Sequence, residues 1–333
     1  MKRSSAISVV FILCFIIISF VSCKKTENPI KFPLGTFPDT VANLEDLNSA
    51  YDDYNTDCYL LFGKIYLLFS SNRGSSGGQF DLVQGEVSFV FDKTTGEFGN
   101  NNSISTLPYL SGLINAGNTD GDDFGPFSLF STVDGYEYLF TASENPEGNL
   151  DFQYFKNRPV YSFNSIPDVQ GPYPATLINT SADDAYICFD INQDSAYFSS
   201  AVDGNFDIYV KARPEETGID AWLDGAYSVS SKVDSINTSS DDKCPLVYKD
   251  IMLFASNRPG GMGGYDLYYS IFSNGNWSSP VNFGPDVNTS SDEYRPRIWI
   301  HDEFSNYLMI FSSDRPGGKG GFDLYFTGVT FPE

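Results

Sequence analysis

A sixteen-residue phrase written almost twice over constrains this chain more than any other feature of its sequence. It runs Leu253-Phe254-Ala255-Ser256-Asn257-Arg258-Pro259-Gly260-Gly261-Met262-Gly263-Gly264-Tyr265-Asp266-Leu267-Tyr268 and returns from Ile310 to Tyr325. A third copy, Leu68 to Leu82, lacks the proline, and degenerate copies span Phe140 to Asp151 and Phe198 to Asp207. The phenylalanines at 69, 140, 198, 254 and 311 lie 71, 58, 56 and 57 residues apart. Upstream of each stands a second motif, Asn-(Ser/Thr)-x-x-Asp-(Asp/Glu), beginning at Asn48, Asn118, Asn179, Asn237 and Asn288. Two motifs in phase five times define five units.

Within a unit the residue pattern is that of short strands. An apolar segment such as Pro296 to Ile300 follows the acidic pair, a polar turn comes next, and Tyr307 to Phe311 is β-rich. The glycine-rich stretch is a loop, leading into the alternating Phe322 to Phe326. Trp277 to Phe283 reads as a fourth strand. Repeated four-stranded units mean a β-propeller, so the expected fold is all-β: one five-bladed propeller over 30–333. Its repeats are roughly 48–117, 118–178, 179–236, 237–287 and 288–333 plus 30–47. The last unit lacks an outer strand. Ile30 to Leu34 and Phe37 to Thr40 resemble Val281 to Asp286, so the N-terminal segment is expected to close the ring. No long helical period is evident.

The first 23 residues read as an address. Lys2 and Arg3 precede an apolar run from Ile7 to Phe20, ending at Val21-Ser22-Cys23. This resembles a bacterial lipobox, which implies lipidation of Cys23, a tether over 24–29, and a place in the cell envelope, on the outer membrane, facing either the periplasm or the exterior. Loss of Lys2 and Arg3 takes the net charge from −23 to −25, which disfavours nucleic acid and anionic lipid heads as partners. The expected membrane contact is the lipid alone. Cys58, Cys188 and Cys244 show no CxxC spacing and read as small buried apolar residues, one disulfide among them staying possible.

The phrase Phe-x-Ser-Asn/Asp-Arg-Pro-Gly-Gly-x-Gly-Gly-Tyr/Phe-Asp-Leu-Tyr, with its upstream Asn-Thr motif, resembles the TolB-type, WD-repeat-like propeller repeat. The resemblance covers residues 30 to 333 and implies envelope protein–protein contacts without a catalytic residue.

Up-and-down strand order puts both motifs on one face. Asp52-Asp53, Asp122-Asp123, Asp183-Asp184, Asp241-Asp242 and Asp292-Glu293, with Arg73, Arg258 and Arg315, therefore gather near the channel mouth as a candidate binding face. They either cap turns and tie blade to blade or bind a basic surface or a cation. No helix follows the glycine-rich loops, so they are turns rather than phosphate cradles, with Asp81, Asp151, Asp207, Asp266 and Asp323 fixing them. The sole histidine, His301, has no partner at ligand spacing, and neither cofactor nor metal is expected. The leading expectation is a non-catalytic scaffold for an envelope protein. The alternative is a glycan-binding or glycoside-hydrolysing propeller, for which Asp57 and Asp190 are the unusual first-strand acids. Blades 2 and 3, which lose the arginine, are the irregular sector.

Overall fold

The computed structural model describes residues 28–61, 64–160, 162 and 164–332. The leader, Cys23 and most of the tether lie outside the described residues. Among those described, antiparallel sheets form the five blades of a β-propeller. Blade 1 runs Asp53–Leu61, Lys64–Ser71, Asp81–Phe91 and Phe98–Ile104; blade 2 runs Asp123–Phe130, Glu137–Glu144, Leu150–Asn157 and Val169–Pro174. Blade 3 comprises Asp184–Phe189, Ser195–Ser200, Asp207–Ala212 and Ser231–Lys232. In blade 4, Asp242–Tyr248, Ile251–Ser256 and Asp266–Ser273 are edged by both Asn276–Trp277 and Val281–Asn282. Blade 5 is Glu293–Trp299, Tyr307–Ser313 and Asp323–Val329, completed by Ala42–Asn43.

The closing strand is N-terminal, but it is not Ile30 to Leu34. Ala42 pairs with Phe326 and Asn43 with Tyr325, the places that Val281 and Asn282 take against Tyr269 and Tyr268. Asn43 donates to Asp323 as Asn282 donates to Asp266. The earlier segment wedges instead between blades 5 and 1: Phe37 is wholly buried, stacked 3.8 Å from Phe304 and edge-on to Phe89.

Two further differences from the sequence reading have local causes. Asp123 pairs with Ser143 as Asp242 does with Ser256, so Thr141, not Phe140, stands where Phe254 stands in blade 4. A helix, α1 (Pro108–Gly117), precedes the blade 2 motif. Proline sits in its first turn, where no intrahelical N–H is needed, and Tyr109, Leu110, Leu113 and Ile114 are buried.

Each first strand carries a bulge at the same position. The register slips between Tyr54 and Asp57, Phe124 and Phe127, Ala185 and Cys188, Lys243 and Leu246, and Tyr294 and Arg297. At the slips, Asn55, Gly125, Tyr186, Cys244 and Arg295 have φ of +59°, +55°, +62°, +59° and +50°. A bulge bends its strand and re-aims the side chain. Non-glycine residues at positive φ are uncommon outside tightly determined sites, and here four of the five positions hold one. Cys58, Cys188 and Cys244 are free thiols.

Candidate functional site

The acidic pairs hold the ring together from within. The first acid of each pair reaches back to the preceding blade and accepts the N–H that opens its third strand: Asp52 from Phe322, Asp122 from Phe80, Asp183 from Leu150, Asp241 from Phe206 and Asp292 from Tyr265, at 2.8–3.0 Å. A Cβ on Gly264 would lie 2.1 Å from Asp292 Oδ1, and one on Gly321 2.2 Å from Asp52 Oδ1. Those glycines are needed for this close approach as well as for the turn.

The second acid is buried in every blade. Asp53, Asp123, Asp184, Asp242 and Glu293 accept the backbone N–H of Ser49, Thr119, Thr180, Thr238 and Thr289. Arg73, Arg258 and Arg315 pair with the acids of blades 1, 4 and 5 and lie over Phe69, Phe254 and Phe311. In the two blades without an arginine, burial pushes Asp123 and Asp184 up to about 6. Thus the structure gathers the expected residues on one face and gives them partners inside the fold. In the glycine-rich turns, Asp266 and Asp323 accept the N–H groups of Met262 and Gly263, and of Lys319 and Gly320.

The side chains that break the fivefold pattern line the axis. At the bulge these are Asn55, Tyr186, Cys244 and Arg295; two residues on come Asp57, Phe127, Cys188, Leu246 and Arg297. Arg297 Nε lies 3.1 Å from Asp57 Oδ1, while Asp57 Oδ2 accepts both the N–H and the hydroxyl of Ser128. Arg295 is wholly buried and donates to the carbonyls of Gly125 and Pro126. Its guanidinium also faces the Tyr186 ring, and that of Arg297 the Phe127 ring. Desolvation, and then repulsion from Arg297, lowers Arg295 to about 10. The axis is therefore a packed polar core with two guanidinium groups near one carboxylate. Asp190 ends the first strand of blade 3 on the opposite face, raised by burial and by Asp194. His301 also lies in a turn, where its Nδ1 accepts the Glu303 N–H.

Above this core the mouth is ringed by aromatic side chains that sequence reasoning passed over. Phe80 and Phe124 are in contact, both touch Tyr54, and Tyr54 stacks on Phe322 with centroids 5.4 Å apart. Phe322 meets Tyr294, which lies 4.7 Å from Tyr265. Lys243 extends its ammonium over Tyr265, Tyr294 and Phe206, at 4.3, 5.1 and 4.9 Å from the ring centroids. The collar passes from blade 2 through blades 1, 5 and 4 to blade 3. Most of its members are half-buried. Leu150 and Ala185 stand in the aromatic positions between blades 2 and 3.

No family model matches the sequence, and no curated protein matches it. Solved structures do. A thermostable family-43 glycoside hydrolase is 12% identical, the match covering 86% of this chain and 92% of that one, with a TM-score of 0.53. An α-L-arabinofuranosidase from Podospora anserina in complex with cellotriose is 12% identical over 92% of this chain and 99% of that one, TM-score 0.53. An endo-arabinase from Bacteroides thetaiotaomicron is 12% identical over 90% and 98%, TM-score 0.53.

The likeness is one of fold. It corrects the expectation of a non-catalytic protein scaffold, which had rested on the repeat phrase and on a charged face open to a partner. The propellers that share this fold include a family-43 glycoside hydrolase and an endo-arabinase, and the charges counted toward a partner surface are engaged within and between blades.

Proposed function

We propose that this chain is a glycan-binding five-bladed propeller that seats sugar rings on the aromatic collar around its channel mouth. The observation that carries the reading is the collar. Sugars present C–H faces that pack on aromatic rings, while their hydroxyls seek polar groups at the rim. Tyr54, Tyr265, Phe322 and Lys243 offer both kinds of contact. The neighbours in fold, an α-L-arabinofuranosidase in complex with cellotriose and an endo-arabinase, support the ligand class. Hydrolysis is the second reading and rests on those neighbours alone: the one asymmetric carboxylate beneath the collar, Asp57, is buried and held by Ser128 and Arg297.

Titration calorimetry with arabino-, xylo- and cello-oligosaccharides tests this reading. At least one series should bind saturably, and Tyr54→Ala or Phe322→Ala should weaken it by about tenfold, the cost of one stacked ring. No binding by any series to the folded parent would overturn the proposal. A reducing-sugar assay on the same mixtures decides whether binding leads to hydrolysis.

The lipobox supports a lipid anchor at Cys23 for this propeller. A Cys23→Ala chain expressed in a bacterium with lipoprotein processing should move from the detergent-soluble membrane fraction to the aqueous one. Unchanged partitioning would sink the anchor.

A further inference from the structure

Blade 3 contains the mould of an arginine without the arginine. In blade 4, Arg258 donates from Nε to Ser256 Oγ and from Nη2 to the Ile236 carbonyl and Asp242 Oδ1, its plane over Phe254 and Tyr268. In blade 5, Arg315 does the same with Ser313, Val287, Glu293, Phe311 and Tyr325. The strand register makes Ser200, Ile178, Asp184, Phe198 and Tyr209 the blade 3 counterparts, and Val202 stands in the place of the arginine. The backbone there has kept its shape: Val202 N–H points to Ser200 Oγ as Arg258 N–H points to Ser256 Oγ.

What remains is a cavity of about 220 Å³ whose lining includes Ile178, Phe198, Ser200, Val202, Tyr209 and Tyr227. Asp184 is wholly buried behind Thr180 and Ser200, which line the cavity. Its Oδ2 accepts the Thr180 N–H, but its Oδ1 makes no well-formed hydrogen bond, the Ser200 and Thr180 hydroxyls being the neighbours of the carboxyl. Lys232 does not supply the missing charge, because its ammonium is taken by Asp203 and Asp207. Tyr227 and Val229 are 51% and 82% exposed at the rim. A buried carboxylate oxygen left unpaired is costly, and this one lies behind an opening shaped for the group that pairs with its counterparts three times elsewhere in the same chain.

We propose that the cavity is a guanidinium-binding site, in which a ligand's planar cation lies over the stacked Phe198 and Tyr209 rings and donates to Asp184 Oδ1, Ser200 Oγ and the Ile178 carbonyl. The geometry selects a flat, forked donor over an ammonium point charge. The proposal is independent of the glycan reading, since it concerns blade 3 alone.

Methylguanidinium at millimolar concentration is the probe, titrated into the full-length protein and followed by calorimetry and melting temperature, with n-butylammonium as the control cation. Saturable binding of methylguanidinium, with butylammonium at least about tenfold weaker, is expected. Asp184→Asn should weaken binding at least about tenfold. Val202→Arg should fill the site from within, abolish binding and raise the melting temperature. Affinity should also grow between pH 5 and pH 7 as Asp184, raised to about 6 by burial, ionises; Asp151, Asp203, Asp207 and Lys232 are the other charges nearby. Free arginine against a Gly-Arg-Gly peptide tells an amino-acid-sized ligand from a polypeptide side chain. A parent protein that shows no saturable binding, or a folded Val202→Arg chain that still binds methylguanidinium, overturns the site.

Discussion

Arg258→Ala should cost the protein about 3–5 kcal/mol of stability at pH 7, read as a lower urea midpoint at unchanged slope. The substitution leaves Asp242, which has no exposed surface, without its cationic partner. It also empties the space over Phe254 and Tyr268. The pH dependence separates these two losses. Without the arginine, Asp242 becomes the counterpart of Asp184, a carboxyl that burial lifts to about 6. A carboxyl raised in the folded state contributes stability that is whole below its ordinary range and is lost as the pH climbs through the raised value. The deficit of the variant should therefore be largest at pH 7 and shrink toward pH 4.5. A deficit equal at both pH values would assign the loss to packing.

Asp57→Asn should produce a loss of similar size, about 3–5 kcal/mol, for the opposite reason. The asparagine would still be able to accept from Ser128, but Arg295 and Arg297 would be left on the axis with no carboxylate between them. The double variant Asp57→Asn/Arg297→Met should regain most of that loss, because a neutral pair of similar volume often does as well as a buried ion pair. A four-membered mutant cycle measures the coupling, and additive losses would mean that the 3.1 Å contact between Asp57 and Arg297 carries little of the energy.

The fold was legible because a propeller must solve one problem five times. Each blade has to be stapled to the next, and the Asn-Thr-x-x-Asp-Asp and Gly-Gly-Tyr-Asp phrases are the two halves of that staple, so repetition exposed them. The same conspicuousness misdirected the choice of site: residues recurring in every blade are those the scaffold consumes. Arg295 and Arg297 occur once each at positions that repetition cannot flag, whereas Asp57 was visible as an unusual first-strand acid, and the collar aromatics sit one residue from the acids, where strand alternation explained them well enough. Ala42–Asn43 went unseen because two residues carry no period; Asn43, the twin of Asn282, was the available clue. Thr141 for Phe140 is a one-residue slip between neighbouring apolar letters that only strand pairing resolves. In α1, Leu110, Leu113 and Ile114 behind Pro108 form an amphipathic turn too short to register as a long helical period.

The pairing of Ala42 with Phe326 has a consequence in time as well as in space. During synthesis the two-residue strand emerges far ahead of its partner, so blades 1 to 4 can assemble in sequence while the last waits for both ends of the chain. Contacts so distant along the polypeptide pay their loop entropy late, which makes the clasp the final step of maturation. A pull from the amino-terminal side reaches the clasp through the segment that bonds to Lys93 and Glu303. Tension there would strip Lys31 and Phe32 from the Lys93 carbonyl and Gly35 from that of Glu303, draw out Phe37 and then part Ala42–Asn43, so the ring would fail by unlatching at one seam.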